Sequence, residues 1–335
     1  MKDLKSNHTL QRLLDANRRF DLNGRGTTNH CPMALTALAS MGAAPDRLER
    51  FFTHWERRHA LAGVEQAPLS RDRWLGAIGC AELFGATRNC FADWVAQDGA
   101  DAVLQSVIGE VSPAPASGAF HALIRLAYGL LADNAGEIGA GLAALVCGRL
   151  VIDIPMAGRT PAASVQDGLA SLSRWLPDTK VEGNWIAPRL RAVAQLPSFR
   201  AVFQAMPQNE DLLAALRRAA LALYWQTDDF VALHLVTGVH AARVVLSQLP
   251  HETAESYMPE LWAAFCAAYV VIGAPPMKMA SMATVEEDWP ALFAMACKSD
   301  DDHDIKLVHT CFEENRVSPL DQYHAVAQRR LARAR

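Results

Sequence analysis

Apolar residues return every three or four positions through almost the whole chain, and that period excludes most architectures before any motif is considered. "TLQRLLDANRRF" and "PDRLERFFTHWERRHA" each place one apolar and one charged face at helical spacing. "PMALTALASMG" opens on a proline suited to a first helical turn and stops at Gly42. "SGAFHALIRLAYGLLAD" and "AGEIGAGLAALVCGRLVI" predict two strongly apolar helices in succession. "NEDLLAALRRAALALYWQ" and "DDFVALHLVTGVHAARVVLSQL" predict a second, antiparallel pair. "DDDHDIKLVHTCFEEN" and "SPLDQYHAVAQRRLARAR" close the chain as helices. Alternating β-branched runs bounded by turn residues are missing, and "GRLVIDIPMAG" is the only strand candidate. The expected fold is all-α, a single-domain multi-helix bundle over residues 1–335 with a buried histidine-lined site.

Composition narrows the function classes. With 51% hydrophobic and 20% charged residues, the chain can bury a large core. A net charge of −4 and no basic tract beyond "QRRLARAR" argue against nucleic-acid binding. The seven cysteines contain no CxxC pair, so thiolate zinc sites lack their spacing, and a reducing cytoplasmic setting is expected. The uncharged stretch from Leu261 to Gly273 is too short to span a bilayer, so no membrane association is expected. "NGRGTTN" lacks a third glycine, and "GEIGAG" lies inside an apolar helix, where Gly136, Gly139 and Gly141 would allow close packing. No dinucleotide fold is supported. A G-x-S-x-G motif is also missing.

Histidines carry the remaining signal. His30 precedes a helix start, where the positive end of the dipole favours a neutral imidazole able to bind metal. His121, Arg125 and Tyr128 form a polar stripe on an apolar helix, which burial would make costly unless each is satisfied. His234 and His240 lie six apart in "ALHLVTGVHAARVV", too far round for one regular helical face, and Arg243 follows His240 by three. In "KSDDDHDIKLVH", Asp300, Asp301 or Asp302 would cap a helix. Asp302 and Lys306 have the favourable i,i+4 ion-pair order, and His303 and Lys306 share a face. Lys306 is therefore either a surface ion-pair partner or an inward residue beside His303. Imidazoles on apolar helices from distant parts of the chain suggest a bundle-core metal site suited to iron, zinc, copper or nickel.

"NHCPMALTAL", "AFHALIRLAYGLL", "FVALHLVTGVHAAR" and "DDHDIKL", in this order, resemble the questin oxidase-like family from about residue 29 to the last helix. The resemblance implies an oxygenase without a flavin fold, acting on anthraquinone-like polycyclic phenols by Baeyer–Villiger-type oxygen insertion or ring cleavage. It implies a non-haem metal, iron(II) above other divalent ions, held by His30, His121, His303 and one or both of His234 and His240. Lys306 would join them as a carbamate, which turns a cation into an anionic oxygen ligand. Dioxygen and an aromatic small molecule are then the expected partners, with Arg125, Tyr128 or Arg243 orienting substrate oxygens. Two alternatives stand beside this reading. One is a helical binding protein without catalysis. The other is a metal-dependent phosphohydrolase built on the His303–Asp304 pair, with Asp321 the only aspartate that follows it.

Overall fold

The computed structural model of the protein describes residues 4–111, 114–278 and 286–333. Helix α1 (Leu4–Asn17) leads through a small hairpin, β1 (Asn23–Gly24) and β2 (Thr27–Thr28), into α2 (Cys31–Ser40) and α3 (Pro45–His59). Two 3-10 segments, Arg71–Ala77 and Ala81–Leu83, precede α4 (Phe84–Asp98) and α5 (Ala100–Glu110). They are followed by α6 (His121–Ala132) and α7 (Ala135–Cys147). The middle of the chain forms α8 (Val165–Trp175), α9 (Ile186–Gln195) and α10 (Pro197–Val202). The remainder forms α11 (Leu212–Thr227), α12 (Phe230–Leu246), α13 (His251–Val271), α14 (Trp289–Ala296), α15 (Asp302–Val317) and α16 (Asp321–Arg333). The fold is all-α, as the helical period predicts, and the hairpin is the only sheet among the described residues. None of the described helices is long and apolar enough to cross a membrane.

The strand candidate "GRLVIDIPMAG" forms no strand. Leu150, Ile152 and Ile154 are buried in alternation, as in a strand, but no second strand lies beside them. Polar partners come from elsewhere: Ser117 Oγ accepts from Leu150 N, and the Asp153 carbonyl accepts from Arg200. Helix α4 escapes the periodicity reading because it buries several sides at once, through Thr87, Arg88, Cys90, Phe91, Ala92 and Val95.

Buried apolar side chains from Leu10 to Leu331 form one contiguous cluster. Helix α7 lies at its centre and packs against α4 and α6. Glycines set that approach, as the "GEIGAG" reading anticipates. A Cβ on Gly139 would come within 2.5 Å of Ala92 N, and one on Gly141 within 2.6 Å of Leu126 N. Both obstacles are backbone, so neither can swing aside. The pairs α6–α7 and α11–α12 are joined by tight turns in which Asp133 (φ 50°) and Asp228 (φ 51°) are left-handed. Asn134 and Asp229 then cap the following helices by accepting from backbone N–H groups.

Four of the helices close a circuit of contacts. Helix α2 touches α6, α6 touches α12, α12 touches α15, and α15 touches α2. Gly141→Ala should destabilise the protein by about 2 kcal/mol or more, because the added methyl overpacks the α6–α7 contact. Gly76→Ala, at an exposed site with open space around it, should stay within about 0.5 kcal/mol. Chemical denaturation of both variants checks the contrast.

Candidate metal centre

His30 immediately precedes α2, His121 is the first residue of α6, His234 lies in the first turns of α12, and His303 is the second residue of α15. All four therefore sit at helix starts. Pro32 sets the first turn of α2, and Phe120 enters α6 through a left-handed backbone (φ 70°). Asp229 caps α12, and of the three acids in "DDD" it is Asp301 that caps α15, accepting from His303 N at 2.8 Å.

The four starts bring the imidazoles together. His30 stacks on His121 with centroids 4.7 Å apart, and His303 meets His30 edge-on at 4.9 Å. His234 lies 4.7 Å from His121 and 5.6 Å from His303. His240 is not in this group, so of the α12 pair it is His234 that joins the others.

Hydrogen bonds decide which nitrogen of each ring is bare. Nδ1 of His121 faces the Gly118 carbonyl, and Nδ1 of His234 lies 2.7 Å from the Phe230 carbonyl. A carbonyl only accepts, so both Nδ1 atoms carry the proton and both Nε2 atoms present lone pairs. Those two Nε2 atoms lie 3.1 Å apart. Nδ1 of His30 donates to Asp302 Oδ1 at 2.7 Å, and Nδ1 of His303 lies 3.1 Å from the same oxygen. Nε2 of His30 and of His303 are buried with no hydrogen-bond partner.

A proton does not resolve the facing lone pairs. Burial, with the neighbouring histidines and Lys306 adding to it, pushes the pKa of His121 and of His234 well below the ordinary value. Burial lowers His30 to about 4 despite the opposing charge of Asp302. Asp302 itself is pushed up by burial, but His30, Lys306 and His303 outweigh that and hold it well below the usual carboxylate range. His30, His121 and His234 are thus neutral imidazoles beside one carboxylate, and His30, Asp302 and His303 bring ligand atoms within 4.8 Å of one another. Nitrogen donors of this kind suit first-row divalent metals, and a carboxylate bonded to the outer nitrogen of a ligating histidine is the usual way to orient such a ring.

Lys306 combines the two options read from sequence. It is 3% exposed, so it turns inward, and its Nζ still pairs with Asp302 Oδ1 at 3.1 Å. Burial lowers its pKa, with Asp302 opposing. The stripe of His121, Arg125 and Tyr128 divides in three directions. His121 joins the centre. Arg125 donates to both oxygens of buried Glu137, at 2.8 and 3.2 Å, and the Tyr128 hydroxyl lies 3.1 Å from His309 Nδ1. His240 and Arg243 both bond Glu314, at 2.6 and 2.8 Å, and Arg217 pairs with the same carboxylate. Burial pushes Glu314 up, but these partners outweigh it and hold the carboxyl at about 2. Asp304 is engaged with Arg330 and Ser299, so the His303–Asp304 pair does not converge on one point.

A cavity of about 1150 Å3 opens over the imidazoles. His30, His121, His234 and His303 form its floor, and Phe230, Trp185 and residues of the β1–β2 hairpin form its walls. Arg125, Tyr128, His240 and Arg243 do not line it, so these four take partners in the core instead of facing a substrate. Sequence reasoning gave no role to Phe230 or Trp185, and read Asp302 only as a cap or an ion-pair partner. The one usable signal was the acid triplet, since a single helix start needs one cap and two acids were left over.

An all-α fold in which helix starts gather imidazoles beneath a large cavity defines a helical protein with a histidine-lined pocket. The family model described as questin oxidase-like matches residues 27–311, and the chain belongs to that family. Comparison with curated proteins finds no match. The family suggests an oxidoreductase.

Two outcomes are expected. His30 is lowered in the fold, so metal-free protein should lose stability as pH falls from about 6.5 towards 4, where the unfolded chain takes up protons that the folded one refuses. His30 alone accounts for about 3 kcal/mol, and thermal melts across that window check it. Arg125→Met should cost about 3 kcal/mol or more by leaving Glu137 buried without its cation, while metal content per folded chain stays unchanged.

Proposed function

We propose that the protein is a non-haem metal oxygenase acting on polycyclic aromatic, anthraquinone-like or related phenolic substrates. The observation that carries this reading is the pair of Nε2 lone pairs facing each other across 3.1 Å, with two further buried Nε2 atoms lacking partners beside them. Like-oriented lone pairs at that distance repel unless a cation holds both. In this reading His30, His121, His234 and His303 hold the metal, and iron(II) is the ion most in keeping with the family and the donor set. When bound, iron(II) would supply the redox chemistry that dioxygen needs to react with a closed-shell aromatic, either in a ring cleavage that takes up both oxygen atoms or in an insertion of one, with a two-electron reductant such as a reduced nicotinamide converting the other to water.

The chain's own groups do the rest. Asp302 fixes the ring of His30 through Nδ1, Asp301 and Asp302 flank Nδ1 of His303, and backbone carbonyls fix the rings of His121 and His234. The cavity over the floor encloses substrate beside them. Lys306 is proposed to act as a carbamate. Its neutral amine adds to carbon dioxide, an N–C bond forms, a proton is released, and the cation beside the imidazoles becomes an anionic oxygen donor. Burial of Lys306 favours the neutral amine that this addition needs.

Elemental analysis of purified protein is expected to find about one metal ion per chain, with iron restoring activity to chelated protein. His121→Ala combined with His303→Ala should abolish metal binding, and His240→Ala should leave it intact. Asp302→Asn should weaken metal affinity roughly 10–100-fold by loosening the outer hydrogen bonds. Full metal retention in the double variant would sink this reading.

A further inference from the structure

The cavity has a lip that the imidazoles do not use. Trp185, just before α9, and Phe230, at the start of α12, both line it, and they are 56% and 51% exposed. Large aromatic rings left in water beside a concave site are suited to the apolar face of a ligand. Phe230 is braced from within, since its ring lies 4.6 Å from that of His234 and 4.8 Å from that of His303.

Charge on the cavity wall is unevenly committed. Asp300 is held by Arg47 at 2.9 Å, Asp301 by Arg330 at 3.2 Å and Asp302 by Lys306 at 3.1 Å. Asp229 is occupied in capping α12. The cations are different. Arg189 donates to the neutral carbonyls of Val181 and Val271, which leaves its charge uncompensated. Arg58 is exposed, and its guanidinium has no partner among the described residues. Asp300 and Asp302 have Arg47 and Lys306, Asp301 shares Arg330 with Asp304, and Asp229 caps α12, so among the described residues Arg58 is the exposed guanidinium on the wall left to meet a ligand's anion.

We propose that this lip is a recognition element for aromatic acids. The ring lies against Trp185 and Phe230, and an ionised oxygen, carboxylate or phenolate, pairs with Arg58, with Arg189 adding to the field. A guanidinium matches either anion through paired N–H donors. That the bound anion is the substrate rests on the oxygenase reading, while its binding does not.

Calorimetric titration of the full chain with three probes tests the lip: anthraquinone-2-carboxylate, its carboxamide and 2-hydroxyanthraquinone. Wild-type protein should bind the carboxylate about fivefold more tightly than the carboxamide, in keeping with a partly solvated ion pair. Arg58→Gln should erase that preference and leave carboxamide affinity unchanged, and Arg58→Lys should restore part of it. Trp185→Ala should weaken carboxylate and carboxamide alike, about tenfold. For the hydroxy probe, dependence on Arg58 that appears only above its own pKa would identify phenolate as the natural anion. Equal wild-type affinity for carboxylate and carboxamide overturns the proposal, and so does a loss in Arg58→Gln that is the same for both. The His121→Ala, His303→Ala double variant separates the two readings. If wild-type protein holds no metal, or the double variant keeps it in full, while the carboxylate preference persists in both, only the oxygenase reading falls. If metal binds and the preference is missing, only the lip falls.

Discussion

Four helices begin at one place, and the properties of the centre follow from that. Each helix start carries unpaired N–H groups and a partial positive charge, so bringing the starts of α2, α6, α12 and α15 together builds a region that disfavours any further cation. Burial there holds His30, His121 and His234 below the ordinary imidazole pKa, so they stay neutral. Acids placed there are welcome, which accounts for Asp229 and Asp301 as caps and for Asp302 turned inward. Lys306 is the one cation the arrangement has to compensate, and it does so through the same oxygen of Asp302 that orients His30.

Two other buried polar networks hold these helices in register away from their starts. Asn17, Arg125 and Glu137 tie α1, α6 and α7 together. Arg217, His240, Arg243 and Glu314 tie α11 and α12 to α15. Helices α12 and α15 are therefore pinned twice, once at the centre and once farther along, where His240 and Glu314 meet. A slide of one helix past the other would part Glu314 from His240 and Arg243, and uncompensated buried charge costs several kcal/mol. This second role explains why His240 has the surroundings of a ligand without being near the centre: it is a buried histidine on the same helix, satisfied by a carboxylate.

Much of the helix inventory could be read from the period of apolar residues, and the close-packing role of Gly139 and Gly141 could be read from their place inside an apolar helix. The site was legible in part. His30 and His303 were marked by their positions beside Pro32 and the acid triplet, since helix-start signals are local. The choice between His234 and His240 was not legible, because both are buried on the same apolar helix, and only the packing of α12 against α6 and α15 decides which one faces the centre. Arg125 and Tyr128 share a helix with His121, and the three diverge because each meets a different neighbouring helix. Such divergence depends on contacts far apart in sequence. The lip residue Trp185 carried no signal at all, since a single tryptophan ahead of a short amphipathic helix reads as ordinary core.

The four clustered imidazoles come from residues 30, 121, 234 and 303, spread over nearly the full chain, and that spacing has a consequence for how the molecule comes into being. Loop closure over such separations is slow and rewards nothing until the intervening helices have packed. A growing chain therefore lacks a complete set of the four rings until α15 has been made. The four rings meet only when helices from all parts of the chain are packed, and the apolar cluster from Leu10 to Leu331 is what packs them.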